Sequence, residues 1–123
     1  MKIAVMGYGT IGSGVVDILT INKEKITQRA GEEVEVKYIL DLRDFPGDPN
    51  ADKVVKDYKT IVEDKEVGLV VETMGGVEPA YTFAKQALLA GKSVVTSNKA
   101  LVAKKGTDLL RTAEEMGVNF LFE

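Results

Sequence analysis

Ile3-Ala4-Val5-Met6-Gly7-Tyr8-Gly9-Thr10-Ile11-Gly12 sets three glycines in the spacing G-x-G-x-x-G directly behind a short apolar run. Beyond them Ile11, Val15, Ile18 and Leu19 recur at i, i+4, i+7 and i+8, one face of a helix that the pattern carries to about Lys25. A glycine triplet alone is weak, because glycine is common. Placed between a strand and an amphipathic helix, it meets the condition that defines a dinucleotide-binding loop. Gly7 then permits the tight turn, Gly9 lets backbone approach a pyrophosphate, and Gly12 lets the helix pack close to the sheet. The N–H groups at the helix start, at Thr10, Ile11 and Gly12, combine with the helix dipole to form an anion site. A tight strand-to-helix turn without a ligand is the competing reading of the same residues.

Working outward, β-branched runs alternate with helical patterns. Val34 to Leu40 begins as an alternating strand and ends apolar, and Asp44 to Asn50, with Pro46, Gly47 and Pro49, is a loop. Val54-Val55 is a short third strand, followed by an amphipathic segment from Tyr58 to Asp64. Val67 to Glu72 is nearly all apolar, the mark of a strand buried on both faces of a parallel sheet. Pro79 suits the first position of a helix bearing Ala80, Ala84, Ala87 and Leu88 on one face, with Gly91 as its stop. Ser93 to Thr96 is a fifth strand. A helical region follows from about Lys99 to Met116, with a break expected at Gly106, and Val118 to Phe122 is a sixth strand. Strands separated by helices of this length are βαβ units. Six of them in two halves predict an α/β fold, a Rossmann-type doubly wound parallel sheet of order 3-2-1-4-5-6.

That order brings further residues to the crevice. An acidic residue near the end of strand two is expected to bind the adenosine ribose. Asp41 stands there, 29 positions after Gly12 rather than about 20; the polar stretch from Asn22 to Glu33 accounts for the excess. Asp41 favours NAD, since a carboxylate repels a 2′-phosphate, whereas Arg43 could clasp that phosphate, so NAD or NADP stays open with a lean toward NAD. Each is also a plausible solvated loop charge. The loops after strands four and five, Thr73-Met74-Gly75-Gly76 and Thr96-Ser97-Asn98-Lys99, lie beside the ribose and nicotinamide in this order. Glu72 and Glu78 read as charges that complement the following helix N-terminus. Lys99 falls in the first turn of a helix with Ser97 or Asn98 as N-cap. The dipole disfavours a cation there by about 0.3–1 kcal/mol, which makes Lys99 a candidate to hydrogen-bond a substrate carbonyl or carboxylate.

Composition narrows the chemistry. The 123 residues are one domain by length, 45% apolar and 28% charged. Sixteen Lys and Arg against nineteen Asp and Glu leave a net charge of −3, which argues against nucleic acid or an anionic membrane as partner. With no cysteine and no histidine, disulfides, thiolate metal sites and a Ser-His-Asp triad are excluded, and no metal is expected. No apolar run approaches the length of a membrane span or a signal peptide, so the chain reads as cytoplasmic.

Three blocks together carry a resemblance. Gly7 to Val16 (GYGTIGSGVV), Val70 to Ala80 (VVETMGGVEPA) and Gly91 to Ala103 (GKSVVTSNKALVA) closely resemble homoserine dehydrogenase. The first block is common to many dinucleotide enzymes; the second and third, at this spacing, are specific to the family. The similarity runs over essentially the whole chain and is weakest between Asn22 and Asp64. It implies NAD(P)H-dependent interconversion of aspartate 4-semialdehyde and L-homoserine, on the route to threonine and methionine, by a homodimer with nucleotide-binding, dimerisation and catalytic regions. It places Lys99, the lysine of the Ser-Asn-Lys motif, at the active site. A second lysine and an acidic residue of the chemistry belong to the later catalytic domain.

The sequence stops at Glu123, directly after the sixth strand. Residues 1–123 therefore read as an NAD(P)-binding domain, with the catalytic and dimerisation regions outside it, binding dinucleotide without turning over substrate alone. Another two-domain dehydrogenase and a free-standing nucleotide-sensing module, like the regulatory domains of potassium channels, are the alternatives on the same scaffold.

Overall fold

The apolar run before the glycines forms β1 (Lys2–Met6), the hub of the sheet. It pairs in parallel with β2 (Glu35–Leu40) on one side and β4 (Val67–Glu72) on the other, Met6 facing Leu40 and Glu72. The computed structural model describes residues 1–122, in which β3 (Val54–Val55), β5 (Ser93–Thr96) and β6 (Phe120–Phe122) complete a six-stranded parallel sheet of order β3-β2-β1-β4-β5-β6. The order reverses between β1 and β4, the place where open α/β sheets bind ligands at the carboxyl ends of their strands.

Five helices cover the sheet unequally. α3 (Tyr58–Val62), α4 (Ala80–Leu89) and α5 (Lys99–Met116) pack on one face, sharing a core with Met6, Val70, Val94 and Phe120. Ala80, Ala84 and Ala87 are fully buried, so α4 lies close to the sheet, and the Tyr58 hydroxyl donates to the Phe83 carbonyl at 2.6 Å. Truncating any fully buried large side chain here, such as Leu88 or Leu109, costs about 2–5 kcal/mol. The other face carries α1 (Thr10–Ile21) and α2 (Lys23–Ala30) over β1 and β2, around Ile3, Val5, Val16, Val36 and Ile39. Beyond β1 on this face, Val71, Val95 and the exposed Leu121 border a cavity beside Ile11 and Val15 of α1.

The expected strands, their order and the helix end at Gly117 are observed, and Pro79 is the N-cap of α4 rather than its first residue; four further expectations change. The first helix ends at Ile21, not near Lys25. Asn22 ends one helix and starts the next: its N–H donates to the Ile18 carbonyl and its carbonyl accepts from the Ile26 N–H. Most of the polar stretch from Asn22 to Glu33, for which the sequence pattern carries no helix beyond about Lys25, is α2. The face of α1 is also shifted. Gly12 and Val16 are buried, while Ile11 and Ile18 are each 58% exposed, because the closest helix–sheet contact is made through the smallest residue. Finally, α5 runs unbroken through Gly106, which is buried with its Cα toward Val102.

Candidate functional site

At the carboxyl end of β1 the chain turns at Gly7, whose φ of +99° lies in the region that favours glycine. The Gly7 N–H donates to the Leu40 carbonyl at 2.8 Å, fastening the turn to β2. A Cβ at Gly12 would lie 1.9 Å from the Gly7 carbonyl oxygen, so the first turn of α1 rests on the loop as only glycine allows. A Cβ at Gly9 would meet nothing nearer than the Arg43 guanidinium at 4.0 Å; the space above it is open. Gly9 is the N-cap of α1, no side chain caps the helix, and its first turn holds no acidic residue. The first intrahelical bond runs from the Ser13 N–H to the Gly9 carbonyl, leaving the N–H groups of Thr10, Ile11 and Gly12 without helical partners. These features fit a pyrophosphate, and the Gly7, Gly9, Thr10, Ile11 and Gly12 assignments meet in one loop.

Asp41 lies beside that loop. One carboxylate oxygen accepts from the Tyr8 N–H at 2.9 Å and from Arg43 Nη2 at 3.0 Å; the other accepts from the Arg43 N–H at 2.9 Å and Nε at 3.1 Å. The Arg43 guanidinium holds the Asp41 carboxyl well below the usual carboxylate range, against the opposing effect of burial. The Arg43 side chain is 64% exposed, and Lys56 Nζ donates to the Leu42 and Arg43 carbonyls, holding the segment beneath it. The two residues that sequence offered as rival cofactor readers are thus one bidentate pair. Nearby, the Tyr8 hydroxyl donates to Asp48 at 2.9 Å and accepts from Asn50, and the Tyr8 ring meets Phe45 edge-on. Gly7, Asp41, Arg43, Met74 and Phe83 border a cavity of about 380 Å³.

The second half of the crevice is organised differently. Thr73 donates its N–H and its hydroxyl to the Met6 carbonyl, tying this loop to the glycine loop. Gly75 and Gly76 turn with φ of +79° and +71°. Glu78 accepts from the N–H and hydroxyl of Thr82, the helix-start role anticipated for it. Glu72 has no such role. It is fully buried, accepting from the N–H groups of Met74 and Gly75 at 2.7 and 3.3 Å and from the Thr96 hydroxyl at 2.6 Å. Asn98, rather than Ser97, caps α5, its side-chain oxygen accepting from the Leu101 N–H at 3.1 Å. Lys99 opens α5 and is exposed, with no ion pair among the described residues. A second cavity of about 380 Å³, bordered by Ile11, Glu72, Thr73, Thr96, Ser97 and Leu121, opens here. Thr73, Met74, Gly75, Thr96, Ser97 and Asn98 therefore gather around the ends of β4 and β5. Sequence reasoning missed Glu72 as a member of this group; a carboxylate closing an apolar strand and running into Gly-Gly was its one available signal.

The family model for the homoserine dehydrogenase NAD-binding domain matches residues 7–123. The chain belongs to this family. It is 36% identical to a homoserine dehydrogenase from Lactococcus lactis, covering 100% of this chain and 30% of the relative. It is 37% identical to one from Pseudomonas aeruginosa, with coverages of 100% and 29%. The crystal structure of S. aureus homoserine dehydrogenase at pH 7.0 superposes with a TM-score of 0.91 at 36% identity, covering 100% of this chain and 32% of that one. The chain thus spans about 30% of the length of these homoserine dehydrogenases. No described helix is long and apolar enough to cross a membrane.

Proposed function

We propose that this chain is the NAD(P)-binding domain of an enzyme that interconverts aspartate 4-semialdehyde and L-homoserine. The observation that carries the reading is the bare N-terminus of α1, an uncapped first turn behind Gly9 at the point where the strand order reverses. The full-length relatives support the reaction class, with the remainder of such an enzyme supplying the catalytic and dimerisation regions of a cytoplasmic homodimer. A bound nicotinamide supplies or takes the hydride. The amides of Thr10, Ile11 and Gly12 hold the pyrophosphate, the Asp41–Arg43 pair reads the adenosine ribose, and the loops at Thr73–Gly75 and Thr96–Asn98 border the nicotinamide. Lys99, exposed at the start of α5 and without an ion pair among the described residues, donates a hydrogen bond to the substrate oxygen on which negative charge develops.

Cofactor choice turns on the pair. Asp41 already accepts four hydrogen bonds, so ribose hydroxyls gain it only when the guanidinium turns away, and the freed Arg43 is then available to a 2′-phosphate. The lean is toward NAD. Titration calorimetry of the 123-residue chain with NADH and NADPH tests both points: micromolar binding with NADH tighter is expected, and no binding of either refutes the assignment. In the full-length enzyme Lys99→Ala is expected to lower kcat/KM about 100-fold, with dinucleotide affinity within about twofold of the parent. Unchanged turnover would return Lys99 to an ordinary surface lysine.

A further inference from the structure

Glu72 is a fully buried carboxylate at the end of a central strand, and every hydrogen bond it makes is accepted. One oxygen takes the Met74 and Gly75 amides, and the other takes the Thr96 hydroxyl. Thr96 is itself 2% exposed and accepts from the Asn98 N–H at 2.9 Å. Asn98 returns the connection, donating its side-chain N–H to the Gly76 carbonyl at 2.6 Å while its oxygen caps the helix that Lys99 opens. The bonds form a closed circuit: end of β4, end of β5, start of α5, and back to the Gly75-Gly76 turn. Because Glu72 takes the Met74 and Gly75 amides, those two donors of the turn are not offered to a phosphate. The turn differs in this from the start of α1.

We propose that Glu72 is a positioning residue for the nicotinamide end of the cofactor and for Lys99, acting through Thr96 and Asn98. The inference rests on the dinucleotide reading above. Without the Glu72 acceptor the turn at Gly75-Gly76 and the start of α5 keep only the Asn98–Gly76 bond between them. With it they are held at one separation, and the wall of the second cavity is fixed before a ligand arrives.

Glu72→Gln tests this at constant side-chain length. Two backbone N–H groups claim the one remaining oxygen, so the amide NH2 turns to Thr96 Oγ1, which already accepts from Asn98. The Thr96 hydroxyl hydrogen then lacks an acceptor, and the disturbance falls on Thr96, Asn98 and Lys99, leaving the adenosine half untouched. In the 123-residue chain, Glu72→Gln is expected to weaken NADH about 5- to 10-fold and to leave ADP-ribose, which lacks the nicotinamide, within about twofold. Thr96→Val should reproduce this selective loss and Thr96→Ser should restore parental NADH affinity. Should Glu72→Gln fail to fold, the two Thr96 variants decide by the same readouts. Parental NADH affinity in Glu72→Gln and Thr96→Val overturns the proposal, as does an equal loss of NADH and ADP-ribose. A parent that binds neither ligand overturns the dinucleotide reading instead.

Discussion

The starts of α1 and α5 sit at the same edge of the same sheet, yet one is bare and the other furnished. At α1 the cap is glycine, no side chain reaches the first-turn amides, and the packing works because Gly12 has no Cβ. At α5 Asn98 caps the helix, and its backbone and side chain enter the Glu72–Thr96 circuit. The contrast is between two ways of finishing a helix start at one crevice. At the start of α1 the protein withholds its own side-chain acceptors. At the start of α5 the protein satisfies the donors internally and uses them as struts.

The comparison breaks most dramatically at Gly12. Gly12→Val forces side-chain atoms into the Gly7 carbonyl, with no flexible neighbour to yield, so destabilisation of about 3 kcal/mol or more is expected from overpacking alone. Thermal unfolding should show a large drop or no folded protein; a parental Tm would mean the helix sits elsewhere. Gly9→Val separates binding from folding, because its added atoms enter open space. Its Tm should stay within a few degrees of the parent, while dinucleotide affinity falls by roughly 30-fold or more as the pyrophosphate loses its approach. Equal calorimetric affinity in Gly9→Val and parent would show that the bare helix start is not the anion site.

Much of this contrast was legible in the sequence on one side only. The bare side is written in glycines at fixed spacing, and their geometric roles follow from lacking a Cβ. The furnished side depends on which polar atoms a buried carboxylate meets, and in sequence only its place between an apolar strand and Gly-Gly sets Glu72 apart from a solvated charge near a helix start. The strands were readable because β1 and β4, at the centre of the sheet, are made almost wholly of apolar residues. α2 escaped notice because it has no buried residue and hence no apolar stripe. The face of α1 was misjudged because periodicity weighs large side chains, whereas the sheet contact is made by Gly12 and leaves Ile11 and Ile18 outward.

The smallest expected effect sharpens the adenosine side. A carboxyl held low in the folded state binds fewer protons there than when unfolded, so Asp41 stabilises the fold above its unfolded pKa, near 4, and loses that contribution as pH falls below it. The Tm difference between parent and Asp41→Asn should therefore be full at pH 6–8, shrink below about pH 4, and amount to only a few degrees, since solvent screens the exposed Arg43 partner. A difference that grows on acidification would contradict the pairing. No histidine titrates in that window to confuse the measurement.

The Tyr8 hydroxyl, bonded to Asp48 and Asn50, makes the loop of residues 44–50 keep time with the glycine loop. A segment holding two prolines and a glycine is ordinarily among the first stretches of backbone to exchange amide hydrogen with solvent. Here the Asp48 and Asn50 amides are already engaged, to the Phe45 carbonyl and the Asp48 side chain, and the tyrosine that secures them grows from the turn between Gly7 and Gly9. Opening one loop therefore loosens the other. Deuterium uptake across the two segments should follow one rate, and a ligand that quiets residues 7–12 should slow residues 44–50 without touching them.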